Sequence, residues 1–588
     1  MVTVRSGRHR TGFTAERRRR QAMWRGAVSS LAVVAVLAGA VFAIVNRAGG
    51  ACSARDPIIV SVASAVDVAA PVMEAADGFN ASNAGVDGRC VRVQVAEQPP
   101  APVLRTLIGD RAGVLPGRPD GWVADSTAWV RLARKQGAKD LAPGEAVVAT
   151  SPLVFATTRA LARKFAAGRT AMSWNMVFPA TVHGRLQPTE DEPDIVRIPD
   201  PSTSGAGIAT VAAARDLVGT GEKADKDLTA FVRMAQAGSA PDYRSTLAAV
   251  GDTGLWTRPV AIVPEQTVWS HNRDVSVEPV AALQPTEGTI DLDYPYVVTA
   301  SDRGRAEGSR LFARWLRTPA VQEEMRHDGF RTADGKEPPY WPGTDIPVEQ
   351  PKPRPSITPE VIDEALDAWS RLAPPSRILV LADASKETAE PIREGGRTRH
   401  DVAVEAATLG LQLFPDGTDL GLWEFARDLG AGRDERELVS LGPIAEPAGG
   451  QEIRRTRLLR TVQAIKAAPG RSSSLYDAIL RGFRSVSEGY DPLMNNSLLL
   501  LTAGRDDGKG VSREKLVEEL RDEWDPDKPV QVIVVAFGEG ADQGALNEIV
   551  SVTNGQLYVA QEPGQIIDVF LSALARRLCH PTCGSPQG

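Results

Sequence analysis

The chain has 588 residues, too many for one hydrophobic core; at ~150 residues per domain it divides into two to four. Hydrophobic residues make up 43% and charged residues 24%, which excludes a disordered or collagen-like chain. The net charge of -7 hides an asymmetry, because eight arginines against Glu16 give residues 1–25 a local +7 and leave the remainder at -14.

A basic tail alone invites a nucleic-acid reading. The next segment favours another. Residues 26–45, GAVSSLAVVAVLAGAVFAIV, carry no charge and have the length of a helix that crosses a bilayer core of ~30 Å. The positive-inside rule puts the basic tail in the cytoplasm and the bulk of the chain outside, with no nucleic-acid partner. The run is long for a signal-peptide core, so an uncleaved single-pass anchor is expected in the cell membrane. A cleavage site near Ala51-Cys52-Ser53-Ala54 is the rival. A lipidated Cys52 is a further alternative, although Gly49-Gly50-Ala51 lacks the large aliphatic residue of lipoprotein signals.

All four cysteines, Cys52, Cys90, Cys579 and Cys583, follow this run, and their even number suits two disulfides in an oxidising compartment. Three pairings are possible. The expectation is Cys52–Cys90 and Cys579–Cys583. The segment Cys579-His580-Pro581-Thr582-Cys583 offers zinc-ligand types but no fourth ligand nearby, which favours the disulfide.

From Pro57 onward strands and helices alternate. Ile58–Ala63 reads as a strand, Val66–Phe79 as a helix, Val91–Val95 as a strand. Trp122-Val123-Ala124-Asp125-Ser126 then reads as a strand opening onto a capped helix. Such alternation predicts a parallel sheet with its functional loops at the carboxyl edge. Farther on, Asp200-Pro201-Ser202-Thr203-Ser204-Gly205-Ala206-Gly207 leads into a helix over Ile208–Leu217, and Glu265-Gln266-Thr267-Val268-Trp269 reads as a strand-to-helix entry. These features resemble an extracytoplasmic solute-binding protein of the periplasmic type II class, over residues 57–345. The resemblance implies a bilobal α/β domain, residues 46–345, that holds a small solute between lobes joined by crossing strands. It implies ligand contacts from Asp125, Ser126, Ser202, Thr203, Ser204, Gly205, Glu265 and Gln266. Amide N–H groups at the 201–207 helix start would attract an oxyanion; the competing use of the same hydroxyls is plain helix capping.

Residues 346–375 form a proline-rich linker and a helix, with Thr358 as cap and Pro359 at the first helical position. Ile362, Ala365, Leu366, Trp369 and Leu372 share one face of that helix, which is expected to lie against the C-terminal domain.

The stretch Ser376–Ser385 holds a short apolar run, bounded by polar residues, that reads as a buried strand. It ends in Asp383-Ala384-Ser385. Gly470-Arg471-Ser472-Ser473-Ser474 and the strand Ser497–Ala503 follow. Together these resemble a von Willebrand factor A domain, residues 376–577, with a tail and Cys pair at 578–588. The resemblance implies a doubly wound, Rossmann-like parallel sheet and a magnesium site that completes itself with a carboxylate of a protein partner. Its motif, Asp-x-Ser-x-Ser, then Thr, then Asp, is degenerate here. Asp383 and Ser385 match, Glu387 replaces the second Ser, Ser473 stands for the Thr, and Ala503 replaces the last Asp. Asp506 and Asp507 lie just beyond. Two readings stay open: weak Mg2+ binding through Asp383, Ser385, Glu387 and Ser473, or loops that keep their fold without a cation. The expected partner is then an envelope protein recognised mainly through the domain surface.

No nucleophile elbow, phosphate loop or paired-histidine motif occurs, so no enzyme is expected. The sequence reading is a membrane-tethered binding and adhesion protein, with the solute-binding component of a transport or sensing system as the alternative and an enzyme using the cleft a distant third.

Overall fold

The structure, a computed structural model, describes residues 52–579 except 111–114, 139–140, 142–145, 168–171, 184, 186, 252–256, 274–277, 340–344, 348–350, 355–356, 394–395, 431 and 469. The tail 1–25, the apolar run 26–45, Cys583 and the Cys579 side chain lie outside what is described. Among the described residues no helix is long and apolar enough to cross a membrane. The chain folds as two compact units, one of residues up to Ser151 with Asp291–Trp341, the other of Pro152–Ile290 with the chain from Pro342 onward.

The first unit is built on strand Ser53–Ser64, which pairs in parallel with Arg89–Glu97 and with Gly121–Val123. Strand Pro295–Val298 then returns antiparallel beside Gly121–Val123. Val60 and Val62 are buried on this central strand. Helix Ala69–Ala81 follows, and Ala69, Val72, Ala76 and Phe79 recur at helical spacing on its buried face. Phe79 meets Phe312 of helix Arg303–Leu316 edge-to-face, centroids 5.5 Å apart. The expected disulfide joins Cys52 to Cys90, with Cα atoms 4.9 Å apart.

The second unit contains two sheets. The smaller has strand order Val280–Leu283, Ser151–Thr158, Pro259–Pro264, Ile195–Pro199, Ser239–Ala240. Pro259–Pro264 is buried along its whole length, as a central strand covered on both faces must be. Helices α1 (Gly205–Val218) and α2 (Glu222–Ala237) belong to this part.

The larger sheet is β1 (Ser376–Asp383), β2 (Asp419–Gly430), β3 (Arg433–Pro443), β4 (Asn495–Thr502), β5 (Gln531–Phe537) and β6 (Gln556–Ala560), in the order β3-β2-β1-β4-β5-β6. The strands are parallel except β3, which pairs antiparallel with β2. The expectation of a purely parallel sheet is corrected at that edge: a tight turn after β2 allows only an antiparallel return. Along β1 the faces alternate. Leu379 and Leu381 pack with helix Leu475–Glu488, whereas Ile378, Val380 and Ala382 pack toward Leu411 and Leu458 on the other side.

Helix α3 (Pro359–Leu372) is capped by the Thr358 hydroxyl, which accepts from Val361 N. Its buried face, Ala365, Ala368, Trp369 and Leu372, lies mainly against α1 rather than against the larger sheet. It reaches the C-terminal domain at the turn Arg576–Cys579, where Arg371 donates to Leu578 O at 2.6 Å. Helix α4 (Arg399–Leu413) carries the Thr398/Asp401 capping box. Helix α5 runs over Arg454–Ala464, and Ala468, the residue before Pro469, is steered away from helical conformation. Helix α6 (Ile566–Ala575) closes the domain.

The disulfide closes a loop of sequence separation 38, for which the chain-entropy model gives about 4 kcal/mol. Replacing Cys52 and Cys90 together by Ser should lower the unfolding midpoint of the first unit, read by scanning calorimetry. Addition of reductant should shift the wild-type midpoint the same way and leave the double variant unmoved.

Candidate functional site

In the first unit Asp67 and Asp125 come together where the parallel strands end, and Asp293 is tied to the helix that follows Asp125. Asp67 sits between strand Ser53–Ser64 and helix Ala69–Ala81. Asp125 follows strand Gly121–Val123 and is 2% exposed. Asp293 precedes strand Pro295–Val298. The Tyr294 hydroxyl donates to Asp67. Thr127, first residue of helix Thr127–Lys135, donates its N–H to Asp293 at 2.9 Å and its hydroxyl to the second oxygen. Ser126 caps the same helix, accepting from Ala128 N at 3.2 Å. Asp67 keeps some exposed area yet is densely surrounded. Burial, with the Asp125 charge added, pushes its carboxyl up to about 7 despite the Tyr294 hydrogen bond. Burial likewise raises Asp293. A carboxyl poised near neutrality by desolvation and a like charge is characteristic of functional sites. Chemically the cluster suits a ligand that brings hydrogen-bond donors or positive charge.

In the second unit the start of α1 uses its own hydroxyls. Asp200 organises the turn: its carboxylate accepts from Ser202 N at 2.8 Å and Ser202 Oγ at 2.7 Å. Its carbonyl accepts from Thr203 Oγ1 at 3.1 Å and Ser204 Oγ at 3.0 Å. Ser204 Oγ in turn accepts from Gly207 N at 3.0 Å, and the Tyr243 hydroxyl accepts from Ala206 N at 3.3 Å. A Cβ on Gly207 would lie 2.3 Å from Pro199 O, so only glycine permits this close entry. Ser202, Thr203 and Ser204 therefore act as turn and cap, and Gly205 is the first residue of the helix. Glu265 and Gln266 are buried at the start of helix Glu265–Arg273, in the same unit.

At the carboxyl edge of the larger sheet, Asp383 is enclosed by donors from the chain. Its carboxylate accepts from Ser385 N at 2.9 Å, from Thr502 Oγ1 at 2.7 Å and from Ala503 N at 3.1 Å. Burial raises its pKa, and these hydrogen bonds oppose the rise. The Ser385 and Ser473 hydroxyls and Glu387 Oε2 are buried without a hydrogen-bond partner, as ligand oxygens would be. Magnesium nonetheless asks for near-octahedral oxygen with one or two carboxylates free to bind. Ala503 brings an N–H in place of a carboxylate. Among the described residues no group of three His, Cys, Asp or Glu is placed to hold a metal ion. The donors described do not fit the implied cation; Glu387, which replaces the motif's second Ser, stands on the turn Lys386–Ala389.

A cation does stand at this edge, but it belongs to the chain. Arg427 of β2 pairs with Asp434 at 2.5 Å, Asp477 at 3.0 Å and Asp507 at 2.8 Å. Ser472 Oγ donates to Asp507 at 2.6 Å. Burial works to raise Asp507, but the Arg427 and Ser472 hydrogen bonds win and hold its carboxyl near about 2. Hydrogen bonding to Asp507 above all keeps the Arg427 guanidinium firmly charged. A Cβ on Gly510 would sit 1.7 Å from Asp477 Oδ2, so glycine is what lets that carboxylate approach. Asp506 turns elsewhere, accepting from Tyr476 N and Gly508 N.

Residues 60–331 match the family model of the bacterial extracellular solute-binding proteins. Nearly the whole chain is similar to an uncharacterized protein of Mycobacterium tuberculosis, found in strains CDC 1551 / Oshkosh and H37Rv. Identity is 25% over 583 residues, covering 93% of this chain and 82% of the relative. Among solved structures, a periplasmic thiamin-binding protein covers 55% of this chain and 97% of its own, at 13% identity and TM-score 0.39. The sulfate-binding protein SubI of Mycobacterium tuberculosis H37Rv covers 49% and 89%, at 17% identity and TM-score 0.33. A von Willebrand factor type A protein from Catenulispora acidiphila covers 35% and 43%, at 16% identity and TM-score 0.27.

Two outcomes follow from these charges. Asp67 has a folded pKa near 7 against an ordinary 3.8, so between pH 4 and 7 the folded state holds a proton that the unfolded state has lost. Its contribution to stability is complete below pH 4 and falls as pH rises through 7, by up to about 1.4 kcal/mol per pH unit. Asp67→Asn should flatten that part of the stability–pH curve, measured by urea unfolding at several pH values. Arg427→Met leaves three largely buried carboxylates without their cation and should destabilise the C-terminal domain by roughly 3–5 kcal/mol. Thermal unfolding in high salt should recover little of that loss.

Proposed function

We propose that this chain is an extracytoplasmic solute-binding protein tethered to the cell membrane by residues 26–45, serving as the capture component of a transport or sensing system. The family match over residues 60–331 supports solute binding. The charge-free run behind a basic tail supports the tether. The observation that carries the choice of solute is the meeting of Asp67, Asp125 and Tyr294 at the carboxyl edge of the first unit's sheet, with Asp67 near neutrality. That edge is where ligands bind in open α/β sheets.

The Asp67–Asp125 pair disfavours an anion and welcomes a solute that presents an ammonium, another cationic group or several N–H donors. The start of α1, with Ser202, Thr203 and Ser204 engaged in capping, gives less support to an oxyanion. Capture and release for a transporter or sensor fits this reading better than metal-bridged adhesion, because the Asp383 edge lacks the carboxylates such adhesion needs.

The test is thermal stabilisation of the full chain across a panel that sets a cationic solute, thiamin, and simple amines against sulfate and fructose 6-phosphate. A ligand that binds only the folded state raises stability by RT ln(1 + [L]/Kd). The expected hit is cationic, its affinity rising with pH through 7 as Asp67 ionises. Asp125→Asn should weaken it at least about tenfold, one charged hydrogen bond being worth 1.5–3 kcal/mol. Stabilisation by sulfate alone, unchanged in Asp125→Asn, would reject this choice of solute.

A further inference from the structure

Between the larger sheet and helices α4, α5 and α6 lies a cavity of about 100 Å³. Val380 of β1, Leu499 of β4 and Phe570 of α6 stand among its apolar walls; among the described residues its polar side chains are Ser497 and Arg577. Both stand at one end. Ser497 is the third residue of β4, near the edge where the strands begin. α6 starts toward the opposite edge, where Ile566 shares a core with Leu501 and with Phe537, the last residue of β5. It therefore ends where the strands begin, and Arg577 lies in the turn that follows it. The cavity has a polar end and an apolar body.

Arg577 is 7% exposed and Ser497 1%, yet neither Arg577 Nη1 nor the Ser497 hydroxyl has a hydrogen-bond partner. Among the described residues no carboxylate acts on Arg577, in contrast with the three around Arg427. Burial pushes its pKa down to about 9, with repulsion added from Arg233, which stands outside the cavity; it stays charged at neutral pH. Water would take up the unused donors but leave the charge uncompensated, and a buried unpaired ion is costly. Size limits what else can enter. An engineered apolar cavity of about 150 Å³ takes benzene, with its six carbons, so one of about 100 Å³ takes roughly four or five non-hydrogen atoms.

We propose that this cavity binds a short monocarboxylate, acetate or propionate, its carboxylate accepting from Arg577 and Ser497 and its alkyl end lying against Val380, Leu499 and Phe570. Sulfate has the right size but would set bare oxygens against those apolar walls. A neutral molecule of the same shape would leave the guanidinium unpaired, and a longer acid would not fit. The site stands toward the opposite edge of the sheet from Asp383 and is independent of the solute proposed above.

The test is a ligand-observed NMR titration of the full chain with acetate, propionate, propionamide, hexanoate and sulfate. Propionate should bind at least tenfold more tightly than propionamide, which has its shape without its charge, and than hexanoate, which is too long. Arg577→Met should abolish the preference over propionamide while keeping or raising the unfolding midpoint without ligand, because it removes an unpaired buried charge. Ser497→Ala should weaken propionate about tenfold, the loss of one hydrogen bond to a charged group. It takes away only an unpaired hydroxyl, so it still decides the matter if Arg577→Met does not fold. Asp125→Asn, in the other unit, should leave propionate binding unchanged. Equal binding of propionate and propionamide, unchanged binding in Ser497→Ala, loss of binding in Asp125→Asn, displacement of propionate by equimolar sulfate, or no binding at all would each overturn the site.

Discussion

Parallel strand pairing is the constraint on which the functional edges of this protein depend. A parallel neighbour can be reached only by a crossover, and right-handed crossovers cover the sheet with helices. In the larger sheet this leaves β1 buried on both faces, so every polar group that the loops supply must emerge at one end or the other. The same logic in the first unit delivers Asp67 and Asp125 to the ends of neighbouring parallel strands, although they are 58 residues apart in sequence. Topology, rather than local preference, is what makes these carboxyls neighbours.

Buried charge is handled differently in different places. Around Arg427 the protein completes a network with a guanidinium and three carboxylates, each partner supplied with further donors. At Asp383 a buried carboxylate accepts from two N–H groups and a hydroxyl. At Asp67 a carboxyl is held near neutrality beside Tyr294. These are three distinct solutions to one problem, the expense of an ion in a low-dielectric setting.

The strands with strong apolar runs were legible in the sequence: Ile58–Ala63 lies within an observed strand, and the stretches Ser376–Ser385 and Ser497–Ala503 overrun theirs only at the C-terminal end. β3 was not, because RDERELVSLGP reads as a solvated charged segment. Its strand character comes from pairing with β2 and from one buried Val439. The position of α3 was misjudged for a related reason. An amphipathic helix announces that it packs but not on what, and its apolar face found α1. Asp383 and Ser385 were legible as a pair because only Ala384 separates them. Arg427 and its carboxylates were not, since they come from four separate segments and each alone resembles an ordinary surface charge. Asp67 had no signal beyond standing in the turn after the first strand. Its raised pKa exists only once Tyr294 and Asp125 surround it.

The disulfide bears on mechanics as well as on stability. Residues 53–56 of the first strand are exposed, and the strand's pairing with Arg89–Glu97 breaks register between Ser53 and Ile58. A strand loaded at such a frayed end opens one hydrogen bond at a time, like a zipper. The covalent bond from Cys52 to Cys90 moves the point of loading onto the neighbouring strand. A pull on the chain before Cys52 is then shared by Ser53–Ser64 and Arg89–Glu97 in shear, where all their hydrogen bonds resist together.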